Sequence, residues 1–178
     1  MKRVVDMNTR DRSASLLPAA VGCALAMAAS GVASAADVVR HKLPGGGTFP
    51  IARAVEVPAG KTIIFHSGMT PTPADPKAEA GTAAYWGDTR TQAMSAFARI
   101  KDSLDSMGLT FGNVAAMTVY LVGDPAKGGR MDFEGFMAAY SQFFGTKEQP
   151  NLPARSTVQV AGLVAAGMLV EIEVQLVK

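Results

Sequence analysis

Arg155, Glu171 and Glu173 are the residues of this chain whose types and spacing are best suited to chemistry. Arg155 lies in the run Asn151 to Val160, and the two glutamates lie in Leu169 to Leu176. Both runs alternate with period two and read as strands. In the second, Val170, Ile172, Val174 and Leu176 share one face, and Glu171, Glu173 and Gln175 share the other. In the first, Arg155, Thr157 and Gln159 oppose Ser156, Val158 and Val160. If the two strands pair, one face is largely apolar and the other carries an arginine and two carboxylates. A planar guanidinium grips a small carboxylate through two parallel hydrogen bonds, and a nearby acid moves protons on what is bound. The plainer alternative is a cross-strand ion pair between Arg155 and Glu171 or Glu173, contributing well under about 1 kcal/mol if exposed.

Other chemistries are weaker in this sequence. His66 ends an apolar strand and is an alternative base, although a lone histidine there more often serves as a hydrogen-bonded core or edge residue. His41 adds nothing to it, and two separated histidines without a third ligand make no metal site. Tyr85 and Trp86 could cap a cleft or anchor their own loop.

The elements that must position these residues follow from periodicity. Val38 to Leu43, Ala52 to Val57 and Thr62 to His66 read as short strands, and Met69 to Asp88, with Pro71, Pro73 and Pro76, reads as a long loop. Thr89-Arg-Thr-Gln92 has the form of a capping box. It opens a helix with Ala93, Phe97, Ile100, Leu104 and Met107 on one stripe, stopped at Gly108. Val114 to Val122 is an uncharged strand, and residues 123–131 form a second flexible loop. Asp132 can cap a second helix whose Phe133, Phe136, Met137, Tyr140, Phe143 and Phe144 form an aromatic stripe belonging to the core. The expectation is a single α+β domain in which two helices cover one face of a mixed sheet of five or six strands. The other face, and a Val114–Val122 strand without charge on either side, call for a partner surface.

Residues 1–35 read as a secretory signal peptide. Lys2, Arg3, Arg10 and Arg12 form a basic leader, Leu16 to Ala29 is almost wholly apolar, and Ala33-Ser-Ala35 supplies small residues before a cleavage point. The expected product, residues 36–178, is one periplasmic or secreted domain with no membrane segment after cleavage. Four of the 17 lysines and arginines and two of the 15 acids precede residue 36, so the remainder is balanced at thirteen of each. That balance argues against nucleic acid as a partner. The single cysteine, Cys23, falls in the leader, leaving no disulfide or thiol chemistry.

From about Pro50 onward the chain resembles the reactive-intermediate deaminase family (RidA, or YjgF-like). The resemblance rests on His66-Ser67-Gly68 closing an early strand, on the helix ending Met107-Gly-Leu109, and on Val119-Tyr-Leu121 followed by the aromatic helix. Its strongest parts are Pro153-Ala-Arg155-Ser156 and Val170-Glu171-Ile-Glu173. It implies a chorismate-mutase-like fold, assembled as a homotrimer around a central barrel with three ligand clefts between subunits. It also implies hydrolysis of imines and enamines of the 2-aminoacrylate type to 2-oxo acids and ammonia, without metal or cofactor. By the same resemblance Arg155 holds the substrate carboxylate, Glu171 activates water and returns a proton to the leaving nitrogen, and Ser67 lines the cleft. Glu173 is then structural. Three wall positions depart from the pattern. Ile51 follows Pro50 where active members commonly have tyrosine, Met137 stands where asparagine is frequent, and Thr157 where cysteine is frequent. Two other readings share the scaffold: a non-catalytic carboxylate-binding or holdase protein, and a ribonuclease, which charge balance and the lack of a histidine pair disfavour.

Overall fold

The computed structural model describes residues 37–178; the signal peptide read over residues 1–35 lies outside the described residues. The chain runs β1 (Val39–His41), β2 (Ala54–Glu56), β3 (Ile63–Met69), α1 (Ala83–Trp86), α2 (Thr89–Ser106), β4 (Val114–Val122), α3 (Phe133–Tyr140), β5 (Ala154–Val160) and β6 (Val170–Val177). The expected strands are all present, divided between two sheets. β1 and β2 form an antiparallel pair of their own, and the main sheet has four strands in the order β3-β6-β4-β5.

The conditional pairing of β5 with β6 does not occur, because β4 lies between them. The chain leaves β4, passes through α3, and returns as β5 in the same direction, since a parallel pair needs a crossover that a helix supplies. β6 then runs antiparallel to both β4 and β3.

This order decides the faces. Met117 aligns with Arg155 on one side and Val174 on the other, and Val119 aligns with Thr157 and Ile172. Arg155 and Thr157 therefore share the face of Met117, Val119, Ile172 and Val174, which packs with α2 and α3 in the main core. Tyr120 aligns with Val158 and Glu171, and Thr118 with Ser156 and Glu173, on the uncovered face. Helices cover one face only, as periodicity implies. The face of β4 that carries Thr118 and Tyr120 is half-buried rather than buried within one protomer. Large apolar side chains are left open on that side: Phe65 is 74% exposed and Val158 43%.

The core is strongly aromatic. Phe97 of α2 meets Phe111, Phe136, Tyr140, Phe143 and Phe144, with ring centroids 4.8–6.4 Å apart. Asp132 caps α3 as expected, accepting from Gly135 N, and the turn after α2 contains Gly108 at φ 68°. The start of α2 differs from the capping-box reading. Asp88 is the cap, accepting from Thr91 N, and Gln92 points inward. Its amide donates to Gly87 O and Gly167 O and accepts from Leu169 N at 2.7 Å, so one buried side chain joins α2 to the turn before β6. Gln92→Leu keeps the volume but removes three hydrogen bonds and leaves the buried Leu169 N–H unpaired. The expected result is a loss of about 2 kcal/mol of folding stability, read from urea denaturation followed by circular dichroism.

The long 69–88 loop is tied down. The Trp86 indole donates to Ala166 O at 2.8 Å, Arg99 to Thr70 O, and Thr72 bonds Ser95. Trp86 is buried and anchors its loop, the second of the two roles open to it. Residues 123–131 are likewise held, with Gln159 bonded to Met131 N and Gly129 O.

Candidate functional site

Arg155 sits on the edge strand β5 with its guanidinium turned toward α3. Its Cζ lies 4.3 Å from the Tyr140 ring centroid, 5.2 Å from Phe136, 5.4 Å from Phe49 and 5.9 Å from Phe133. Cations are attracted to such ring faces, most strongly where water is excluded. Nη2 points at Met137 Sδ, 3.2 Å away, and Nη1 is buried with no hydrogen-bond partner. Two residues further along the same face, Thr157 Oγ1 is also buried and unpartnered. Burial pulls the guanidinium below its ordinary pKa, and Tyr140 opposes the shift. The Tyr140 phenol, itself pushed up to about 12 mainly by burial, stays protonated and donates to Pro50 O at 2.8 Å. That bond fixes Pro50 and the half-buried Ile51 beside the arginine.

Among the described residues no acid answers this cation: the ion pairs are His41–Glu56, Lys101–Asp105 and Lys127–Asp132. The cross-strand ion pair with Glu171 or Glu173 is therefore not formed within the described protomer. Buried polar groups are normally paired, so this guanidinium nitrogen and hydroxyl leave hydrogen-bonding capacity of a kind that an anion can use. Arg40 illustrates the contrast: it spends its guanidinium on Val114 O, Leu152 O and Gly112 O, a purely structural role.

Glu171 lies on the other face. With Gly68, Tyr120, Val160, Gly162, Leu163 and Glu173 it lines a hollow of about 270 Å³. Strand spacing alone puts the Arg155 and Glu171 backbones roughly 14 Å apart, with the sheet between their side chains. One protomer therefore does not bring together the arginine and the acid that the sequence places on one surface; it carries two half-sites.

The motif His66-Ser67-Gly68 acquires a physical meaning here. The register slips between His66 and Met69, so β3 carries an extra residue opposite β6. Ser67 and Gly68 are thrown outward, both exposed. The Glu171 carboxylate then packs against the bare Cα of Gly68, where a methyl group would overlap Oε1. Because the clash falls on the end of a flexible side chain, Gly68→Ala is expected to fold normally while turning Glu171 aside. Melting temperature should change little, while the Glu171 carboxyl resonance shifts in carbon-13 NMR.

His66 is a buried, hydrogen-bonded residue of β3. Its Nδ1 bonds Ser67 O at 2.7 Å, its Nε2 bonds Ser103 Oγ at 2.8 Å, and it is 9% exposed. Two contributors escaped the sequence reading. Phe49 stacks on Phe133 and covers Arg155, and Tyr120 donates to Glu173 Oε2 at 3.1 Å. Phe49 gave no periodic signal. Tyr120 could have been found as the lone hydroxyl-bearing aromatic on an otherwise apolar strand. Among the described residues no group of three His, Cys, Asp or Glu stands close enough to hold a metal ion.

Known proteins give this geometry a context. A family model described as endoribonuclease L-PSP matches residues 49–177. A RutC family protein of Haemophilus influenzae is 30% identical over 114 residues, 64% of this chain and 76% of that protein. Among solved structures, E. coli TdcF with bound serine is similar at 29% identity and a TM-score of 0.50, covering 75% of this chain and 91% of that one. YyfB of Yersinia pestis, a Rid family protein of unknown function, shares the fold at 20% identity and a TM-score of 0.57, over 77% and 96% of the two chains. The matched segment takes in Arg155 and Glu171, and by it this protein belongs to the endoribonuclease L-PSP family.

Proposed function

We propose that this protein hydrolyses 2-imino acids and their enamine tautomers to 2-oxo acids and ammonia, in clefts formed between subunits of a homotrimer. The observation that carries the reading is Arg155: half-buried, boxed by aromatic rings, with Nη1 unpartnered and no acid in reach. It is built to receive an anion from outside the protomer. The serine bound to E. coli TdcF, an amino acid with a carboxylate of the expected kind, supports the choice of ligand.

The opposite facing of Arg155 and Glu171 requires that a working cleft join the arginine half of one subunit to the acid half of its neighbour. The apolar Phe65 and Val158 left open on the acid face favour such an assembly. In the cleft, Arg155 takes the substrate carboxylate through its fork, and the Thr157 hydroxyl offers a further bond. Ile51 and Met137 form walls, and Ser67 with the Gly68 backbone lines the opposite side. Glu171 accepts a proton from water as the oxygen attacks the imine carbon. The C=N bond becomes a single bond as the nitrogen takes up a proton from solvent, giving a carbinolamine. Glu171 then passes its proton to that nitrogen, the C–N bond breaks as ammonia leaves, and the hydroxyl proton returns to solvent as the carbonyl forms. An enamine substrate first takes a proton at its terminal carbon to become the imine. The steps consume one water and no oxidant or reductant. The leader read over residues 1–35 supports a site of action outside the cytoplasm, in the periplasm or beyond.

The test is release of 2-oxo acid from imines generated in place by an amino-acid oxidase. Acceleration over the uncatalysed rate supports the proposal. An inert protein that still binds small carboxylates would instead make the clefts a binding site.

A further inference from the structure

We infer that Tyr120 is a positioning residue that sorts the two carboxylates of the acid half-site, holding Glu173 so that Glu171 alone handles protons. The inference rests on the reading of Glu171 as the acid–base group.

Glu171 and Glu173 stand two residues apart on one face of β6, roughly 7 Å along the strand. Both line the same hollow, and no lysine, arginine or histidine lines it with them. Two carboxylates so placed offer alternative acceptors to the same water. The structure breaks this equivalence. Tyr120, at the middle of β4, is the register partner of Glu171, yet its hydroxyl donates to Glu173 Oε2 at 3.1 Å. Among the described residues nothing is hydrogen-bonded to the Glu171 carboxylate, which lies against Gly68, facing the hollow. One acid is anchored and the other is left open to substrate and water.

The tyrosine keeps its proton while doing this. The bond to Glu173 first, then burial, then the charges of Glu173 and Glu171 all raise the phenol above its ordinary value. It therefore remains a donor to Glu173 Oε2. A phenylalanine would fill the same space without being able to donate. No further titratable side chain faces the pair: β3 contributes Gly68, β5 contributes Val160, and the turn before β6 contributes Gly162 and Leu163.

The experiment compares wild type, Tyr120→Phe, Glu173→Gln and the double variant by oxo-acid release. Tyr120→Phe should lower kcat about tenfold with KM within about twofold, because the released Glu173 now contends with Glu171. Neutralising that competitor should restore turnover, so the double variant should match Glu173→Gln alone. A tyrosine that only packs gives no such rescue. Wild-type kcat in Tyr120→Phe, a loss confined to KM or melting temperature, or a double variant no faster than Tyr120→Phe would each overturn the inference. Carbon-13 NMR of the glutamate carboxyls decides the matter even if wild type hydrolyses no imine, an outcome that would sink only the proposed reaction. Tyr120→Phe should shift the Glu173 carboxyl resonance at fixed pH through loss of the phenol hydrogen bond, and an unmoved resonance would reject the sorting role.

Discussion

Arg155→Lys is expected to lose activity on the order of a hundredfold in kcat/KM while keeping its fold. Lysine preserves the charge but offers one compact ammonium in place of a planar fork, so a two-point grip on a carboxylate becomes a single contact. Losing one charge-assisted hydrogen bond of about 2–3 kcal/mol corresponds to roughly that factor in rate. The aromatic box sharpens the effect. Tyr140, Phe136, Phe49 and Phe133 surround the delocalised guanidinium at 4.3–5.9 Å, and a strongly hydrated ammonium gives up more on entering the same space. Steady-state kinetics with circular dichroism on the same samples checks this. Wild-type kinetics in the lysine variant would mean that the guanidinium serves packing, and the carboxylate grip would have to be abandoned.

The elements of the fold were legible because each is written in its own segment. Val114–Val122 is a strand with the bounds its uncharged run implies, Asp132 caps α3, and a left-handed glycine, Gly108, follows α2. Gln92 was misread because a capping box and an inward-facing glutamine share one local pattern. The difference lies in Gly167 and Leu169, some 75 residues away. Strand pairing failed for the same reason: alternation states which residues share a face and is silent on which neighbour lies beside it. Matching apolar face to apolar face would place Val158 in the core with Val170 and Ile172. The opposite holds. Gln159 faces the helix layer at the rim, where it secures the 123–131 loop, and Arg155 enters the aromatic box, while Val158 is turned outward. An apolar residue exposed in this way fits a surface meant to be covered by another copy of the chain. The chemistry-bearing types were therefore readable from sequence, and their separation onto two faces was not.

That separation leads to the most demanding expectation. Glu171→Gln should lower kcat about a hundredfold or more with little effect on KM, because the amide keeps the shape and cannot take a proton. Arg155→Ala should be equally inactive through loss of substrate grip. If each cleft takes Arg155 from one subunit and Glu171 from the next, the two dead proteins should restore one another. In a mixed trimer, a cleft made from the intact arginine of the Glu171→Gln chain and the intact acid of the Arg155→Ala chain contains both groups. Random assembly of equal amounts makes about a quarter of all clefts complete, so co-refolded material should regain about that share of wild-type activity. Mixing without dissociation should regain none, which separates subunit exchange from trace contamination. Sedimentation of the same samples reports the trimer itself. Recovery near zero after full exchange, with trimers present, would place Arg155 and Glu171 in the service of different events, and the shared cleft would be wrong.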